Sequence, residues 1–166
     1  MGLDMYLYIR KTESLGRWDD KFEEKAKDFY PDDLKAIGEA HAKRNFLSKT
    51  VSFQVGYWRK ANEIHSWIVD HLANGKDECQ EIYFPVDSMK ELVGLCEQVL
   101  ADNSLAPTLL PTKSGFFFGG TEYDEDYFYD LQSTIDQLKP IIEFMESHTP
   151  SVDLDLYYDC YYRASW

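Results

Sequence analysis

Apolar and polar residues alternate at both ends of the chain. Near the start, an apolar residue recurs at every second position from Leu3 to Ile9. From position 152 to position 163 the alternation returns, now with aspartates and tyrosines on the polar side. A period of two is typical of a strand with one buried face. We therefore predict a strand at each end, and the similar Asp/Tyr faces favour placing both strands in one sheet.

The interior of the chain combines helical periodicity with short apolar runs. Apolar residues recur at helical spacing in three stretches, 58–73, 88–100 and 124–145. Short apolar runs predict further strands at 50–57, 82–84 and 115–120. Capping patterns precede two of the helices, at Ser88–Glu91 and Thr121–Asp124. Pro140 is expected to kink the last helix or to divide it.

These elements predict an α+β fold. We expect a small, mostly antiparallel sheet that includes both terminal strands and is packed by three to five helices. A chain of 166 residues forms one domain by default, so we predict a single domain over 1–166. Residues 12–50 are acidic and polar, and we expect them to form a helical and more mobile region.

The charge balance limits the kinds of partner. The chain has 17 basic and 30 acidic residues and a net charge of −13. Because phosphate neutralisation needs a basic face, this balance excludes general nucleic-acid binding and docking on anionic membranes. No run of apolar residues is long enough for a membrane span. Three scattered cysteines predict buried thiols in a reducing compartment, and we expect a soluble cytoplasmic protein.

The first candidate site lies on the helix predicted at 58–73. Trp58, Asn62 and His65 fall on or near its apolar side, and Arg59 points elsewhere, where it could contact an anion. An imidazole in apolar surroundings needs a hydrogen-bond partner. One interpretation makes His65 an acid or base oriented by Asp124. The preferred one is a structural histidine satisfied by a backbone carbonyl or by a carboxylate such as Asp124 or Asp4.

The second candidate is the glycine turn at 119–120 before the last helix. Thr121, Tyr123 and Asp124 are candidate ligand contacts there, because a helix N-terminus can hold an anion. The surrounding acids would repel a phosphate, and no lysine follows the glycines as it does in a P-loop. Acids at this position compensate the helix dipole, so we prefer a capping role.

The third candidate is the polar face of the two terminal strands. Carboxylates two residues apart on a strand lie on the same face, about 7 Å apart. The face includes Asp4, Tyr6, Tyr8, Asp153, Asp155, Tyr157 and Asp159. It could bind a cation or a cationic partner against the tyrosine rings, although a solvated sheet face is the simpler interpretation. The four histidines lack zinc-site spacing, and we predict neither a metal nor a cofactor.

Three blocks of sequence together resemble a family of small bacteriophage and prophage proteins of unknown function. They are MGLDMYL at 1–7, VGYWRKANEIHSWIV at 55–69 and LPTKSGFFFGGTEYDEDYFYDL at 110–131. Region 12–50 falls outside the resemblance. The resemblance implies a phage or prophage origin and a location in the bacterial host cytoplasm. It implies no activity and no catalytic residues.

The functional prediction follows from the resemblance, the aromatic composition and the lack of a catalytic signature. We predict a non-catalytic accessory protein that binds a small ligand or a host protein with a basic surface. One version of this binding is mimicry of DNA charge. The alternatives are an enzyme or a ligand-sequestering pocket that uses His65 and Asp124, and an assembly accessory that works as a homo-oligomer. The sequence leaves the oligomeric state open.

Overall fold

The α+β fold contains a four-stranded antiparallel sheet, and both predicted terminal strands belong to it. The computed structural model describes residues 2–42, 46–115, 118–148 and 156–166. The strand order is β2-β1-β4-β3, so the two terminal strands are neighbours. The strands are β1 (Asp4–Gly16), β2 (Phe46–Arg59), β3 (Glu81–Tyr83) and β4 (Leu156–Ser165).

Helices occupy most of the remaining described chain. Four of them are longer than one turn, namely α2 (Lys35–Ala42), α3 (Asn62–Leu72), α4 (Val86–Ala101) and α6 (Glu125–Ser147). Two have four residues each, α1 (Phe22–Lys25) and α5 (Ala106–Leu109). Short 3-10 segments add to these at Ala26–Asp28, Asp32–Leu34 and Asn103–Leu105. No helix of the described part is long and apolar enough to cross a bilayer.

The contacts of the chain divide it into two compact units. The larger unit comprises Met1–Ile9, Phe53–Ser147 and Asp159–Trp166. Its buried apolar residues come mainly from β1, α3, α4, α6 and β4. The alternate residues of β1 that were predicted to be buried are at most 7% exposed. Helices α4 and α6 pack against each other through their apolar stripes.

The smaller unit comprises Arg10–Ser52 and His148–Tyr158. Its core is a cluster of Leu15, Phe22 and Leu47, against which three further side chains from the 22–30 segment pack. The Thr12 and Thr50 hydroxyls lie 3.0 Å apart, within hydrogen-bond distance. Region 12–50 was predicted to be helical, but it contains the end of β1 and the start of β2 beside its short helices.

Several predicted boundaries were wrong. Residues 58–59 belong to β2, and α3 begins only at Asn62, because the chain turns at Lys60 with a φ of 65°. Gly115 and 118–120 are irregular and do not form a strand, while 116–117 lie outside the described residues. Helix α4 begins at Val86, two residues before the predicted cap. Of the two effects expected of Pro140, a kink or a division, the division does not occur, because α6 continues through it.

Candidate acidic binding cavity

An acidic cavity of about 400 Å³ lies in the larger unit, where the end of β2 and the starts of α3 and α6 approach each other. Thr112 and the 119–122 loop also contribute to its wall. Its charged side chains are Arg59, Lys60, Glu63, Glu122, Asp124, Asp126 and Asp130. Tyr127 and Tyr129 add aromatic surface. With five carboxyl groups against two cations, the wall favours a positively charged ligand.

The turn between β2 and α3 positions one side of the acidic cavity. The Lys60 backbone N–H donates to the Leu3 carbonyl over 2.8 Å, so the turn is fixed to the neighbouring strand. The Lys60 carbonyl accepts from the Asn62 N–H, also over 2.8 Å. Gly119 comes close to this turn, and a Cβ at that position would lie 3.1 Å from the Lys60 Cβ. A glycine with a φ of 91° allows this approach.

Asn62 holds the loop that closes the cavity wall. Its amide nitrogen donates to the carbonyls of Phe118 (3.2 Å) and Gly120 (2.9 Å). Its amide oxygen accepts from the Lys113 backbone N–H over 2.7 Å. Because the side chain is 3% exposed, these bonds satisfy a buried amide. Asn62 was a predicted contact residue, and the structure gives it a positioning role in the cavity wall.

Trp58 connects the end of β2 to α6 at Thr134, one turn after the cavity residue Asp130. Its indole N–H donates to the Thr134 hydroxyl oxygen over 2.9 Å, and both side chains are buried. The Thr134 hydroxyl donates in turn to the Asp130 carbonyl over 2.7 Å. Trp58, another predicted contact residue, is therefore part of the support of the site and is 3% exposed.

Glu63 is the unusual group in the cavity wall. The residue is 2% exposed, and no described residue forms a hydrogen bond with its Oε1 atom. Burial raises the pKa of Glu63 from its ordinary value of 4.5 to about 8, and the nearby Asp130 carboxylate adds to the rise. A buried carboxyl oxygen without a hydrogen-bond partner destabilises a protein. A carboxyl group at this position is therefore explained more readily by binding than by stability.

The start of α6 supplies the other strongly perturbed groups. Burial, followed by repulsion from Asp126 and Asp124, raises the pKa of Asp130 to about 6. Burial also raises the pKa of Tyr127, whose hydroxyl group donates to the Leu110 carbonyl over 2.8 Å. These acids beside Glu63 concentrate negative charge in the cavity wall. Perturbed acids in a concave site are typical of functional sites.

His65 is fully satisfied by other side chains. Nδ1 of His65 lies 2.7 Å from the Tyr162 hydroxyl and accepts from it in the neutral tautomer whose proton is on Nε2. The second ring nitrogen, Nε2, then donates to Asp77 over 3.0 Å. Asp77 also accepts from the Trp166 indole, and the Phe118 ring packs edge-on against the imidazole. His65 thus joins α3 to β4 through a buried polar network.

Asp124 has a different role from the orientation of His65. Its carboxylate accepts from the Tyr127 backbone N–H over 3.2 Å, which caps the start of α6. Both ring nitrogens of His65 contact other residues, and the carboxylate that bonds to the ring is that of Asp77.

The two other residues predicted in this turn have contacts of their own. The Thr121 carbonyl accepts a hydrogen bond from the Thr112 hydroxyl, and the centre of the Tyr123 ring lies 5.0 Å from that of Tyr127.

The polar face of the two terminal strands, with its aspartates and tyrosines, is partly occupied by contacts with side chains of β2. The Tyr57 hydroxyl donates to the Asp4 carboxylate over 2.5 Å, and Arg59 lies 4.0 Å from the same oxygen. The Tyr6 ring lies 5.4 Å from the Tyr57 ring. Asp4 and Tyr6 are therefore held by neighbours on β2. Of the remaining residues of this face, Tyr157 and Asp159 lie on β4, and Asp153 and Asp155 lie outside the described residues.

Glu63, Asp130 and Asp77 were not predicted as site residues. The sequence does not mark Glu63, because four consecutive residues of α3, from 62 to 65, are buried and the helix has no single apolar face to contrast with it. A signal existed for Asp130. It follows Asp126 by four residues, and like charges at this spacing repel each other on a helix.

Comparisons with family models, with curated proteins and with solved structures find no match for this chain. The resemblance to phage proteins therefore stays a prediction.

Within the described residues, no group of three or more His, Cys, Asp or Glu side chains is arranged to hold a metal ion.

Proposed function

We propose that the protein is a non-catalytic binding protein whose acidic cavity accepts a positively charged group. The observation that carries this proposal is the Glu63 carboxyl group, which is buried in a wall rich in acids and has an oxygen without a described partner. An ammonium or guanidinium group would satisfy that oxygen and reduce the repulsion among the neighbouring carboxylates. The charged group could belong to a small ligand or to the basic surface of a host protein.

The predicted phage or prophage origin is compatible with this role and remains part of the proposal. A protein of this kind would act in the cytoplasm of a bacterial host by binding one of its components. The excess of acidic residues would attract a basic partner and speed its association. For the catalytic alternative, His65 and Asp124 would have to act together, and their hydrogen bonds are to other groups.

Affinity capture with a charge-reduced cavity tests the proposal. The double variant Asp126→Asn/Asp130→Asn removes two charges from the wall. The matched control, Asp87→Asn/Asp136→Asn, removes two exposed charges outside it. Each protein is immobilised and exposed to bacterial lysate at low and high salt. Bound proteins and small molecules are then identified by mass spectrometry.

We expect the wild type and the control to retain the same cationic component at low salt, and the cavity variant to lose it. High salt should weaken the retention, because screening reduces attraction between exposed charges. If all three proteins retain the same components, the acidic cavity is not the binding site and the proposal fails.

A further inference from the structure

Building on the proposed function, we infer that the acidic cavity binds an organic cation, an alkylammonium or guanidinium group, and that Glu63 releases its proton when the cation enters. Three features of the site support this binding: the size of the cavity, the distribution of its acids and the surroundings of the Glu63 carboxyl group.

The size of the cavity suits an organic cation. A volume of about 400 Å³ is within the range of small-molecule sites and far exceeds that of a single ion. Its carboxyl groups come from α3, from the 119–124 loop and from α6, so they surround a volume. Tyr127 and Tyr129 provide ring surface against which a cation with an alkyl stem can pack.

Glu63 lines the acidic cavity, and its buried carboxyl group supplies the counter-ion once the side chain turns toward the ligand. An N–H donor on the ligand would give Oε1 the hydrogen bond that no described residue supplies. Binding then replaces a neutral, protonated carboxyl group with an ion pair. The O–H bond of Glu63 breaks, its proton passes to the solvent, and the carboxylate pairs with the entering cation.

Among the titratable groups around it, the Glu63 carboxyl group is the one that most readily loses its proton near neutral pH. Burial raises the pKa of Cys96 on α4 to about 12 and also raises that of Tyr127, so both stay protonated. Asp130, with a pKa of about 6, ionises before Glu63, whose pKa is about 8. Within the acidic cavity, the other charged side chains near Glu63 are Arg59, Lys60, Asp124 and Asp126. Glu63 also borders a second cavity, whose titratable side chains are Asp70, His71 and Glu91.

Calorimetric titration with guanidinium probes tests the inference, because a guanidinium group keeps its charge over the whole pH range used. Agmatine represents a free organic cation, and the blocked peptide acetyl-Gly-Arg-Gly-amide represents an arginine side chain of a protein. The same peptide with citrulline is the neutral control, and magnesium chloride is the inorganic control. Titrations in two buffers with different protonation enthalpies give the number of protons released.

We expect agmatine or the arginine peptide to bind and to release about one proton at neutral pH, with an affinity that rises roughly 80-fold from about pH 6 to about pH 8.5. The citrulline peptide should not bind. Glu63→Gln should release no proton from this position and should bind at least tenfold more weakly at the higher pH. Glu125→Gln, a matched change at an acid of α6 outside the cavity wall, should behave as the wild type. Binding of either guanidinium probe supports the inference, and the tighter probe identifies the source of the cation.

Two results separate failure of this inference from failure of the proposed function. If the probes bind the cavity without proton release, or if magnesium binds there and neither organic probe does, the inference is overturned while the cavity remains a cation site. If no cation binds, or if Asp126→Asn/Asp130→Asn binds as tightly as the wild type, both fail. Proton release is measured on the wild-type protein, so the test holds even if Glu63→Gln does not fold.

Discussion

Replacing Glu63 with glutamine should change how the stability of the protein depends on pH. In the folded protein the pKa of Glu63 is about 8, against an ordinary value of 4.5 in an unfolded chain. Below the lower value the group is protonated in both states and does not affect folding. Between the two values the unfolded chain ionises while the folded protein keeps the proton, so stability falls as pH rises. Above the higher value both states are ionised, and the loss is complete.

The size of the effect follows from the difference of about 3.5 between the two pKa values. At about 1.4 kcal/mol for each pKa unit, Glu63 lowers the free energy of unfolding by roughly 3–4 kcal/mol between about pH 5 and about pH 8.5. Glutamine has nearly the same shape and does not titrate. The advantage in stability of Glu63→Gln over the wild type should therefore grow by this amount across the same interval, whatever the offset between the two proteins at low pH.

Urea unfolding, followed by tryptophan fluorescence, measures this difference. Three of the four tryptophans, Trp58, Trp67 and Trp166, belong to the same unit as Glu63. Glu125→Gln is the control for removal of an acid outside the cavity, and its stability should follow that of the wild type with pH. If the curves for Glu63→Gln and the wild type stay parallel from low to high pH, the Glu63 carboxyl group is not held protonated, and the account of the cavity wall is refuted.

Three further substitutions test the contacts that build the site. His65→Ala removes a buried side chain whose two ring nitrogens bond to Tyr162 and Asp77. Urea titrations should show a loss of about 2–4 kcal/mol in the free energy of unfolding. A loss below about 0.5 kcal/mol would contradict the role of these two hydrogen bonds. Asn62→Ala should speed hydrogen exchange of the Lys113 amide, whose acceptor it removes, and unchanged protection would show that the loop does not depend on Asn62. Trp58→Phe leaves the Thr134 oxygen without its indole donor and should cost about 1–2 kcal/mol of stability by thermal unfolding, with no change arguing against that bond.

The outline of the fold could be predicted because it depends on regular patterns. Alternation at both ends identified β1 and the described part of the last strand, and helical spacing located α4 and α6. The boundary between β2 and α3 was predicted wrongly, because the apolar spacing of the helix extends back into the strand. Trp58 fits the spacing of the following helix by coincidence, whereas the turn at Lys60 ends a strand. A positive φ at a lysine leaves no mark in an apolar pattern.

The candidate site could be predicted only in part. Asn62 and Asp124 were identified and contribute to the wall of the acidic cavity, but their hydrogen bonds position the backbone. The pairing of His65 depends on Asp77 and Tyr162, which are 12 and 97 residues away along the chain. Glu63 could not be distinguished from an exposed helical glutamate, because its chemistry comes from burial, a property of the tertiary structure.

Chemical-shift mapping with agmatine tests most directly whether the acidic cavity binds a cation. In an amide-resolved spectrum at about pH 8.5, where Glu63 is largely ionised, we predict shifts centred on the backbone amides of Asn62, Glu63, Gly120 and Asp130. Asp126→Asn/Asp130→Asn should reduce these shifts strongly, whereas Asp87→Asn/Asp136→Asn should not. No shifts, or shifts centred on Asp4 and Tyr6 of the sheet face, would contradict the account.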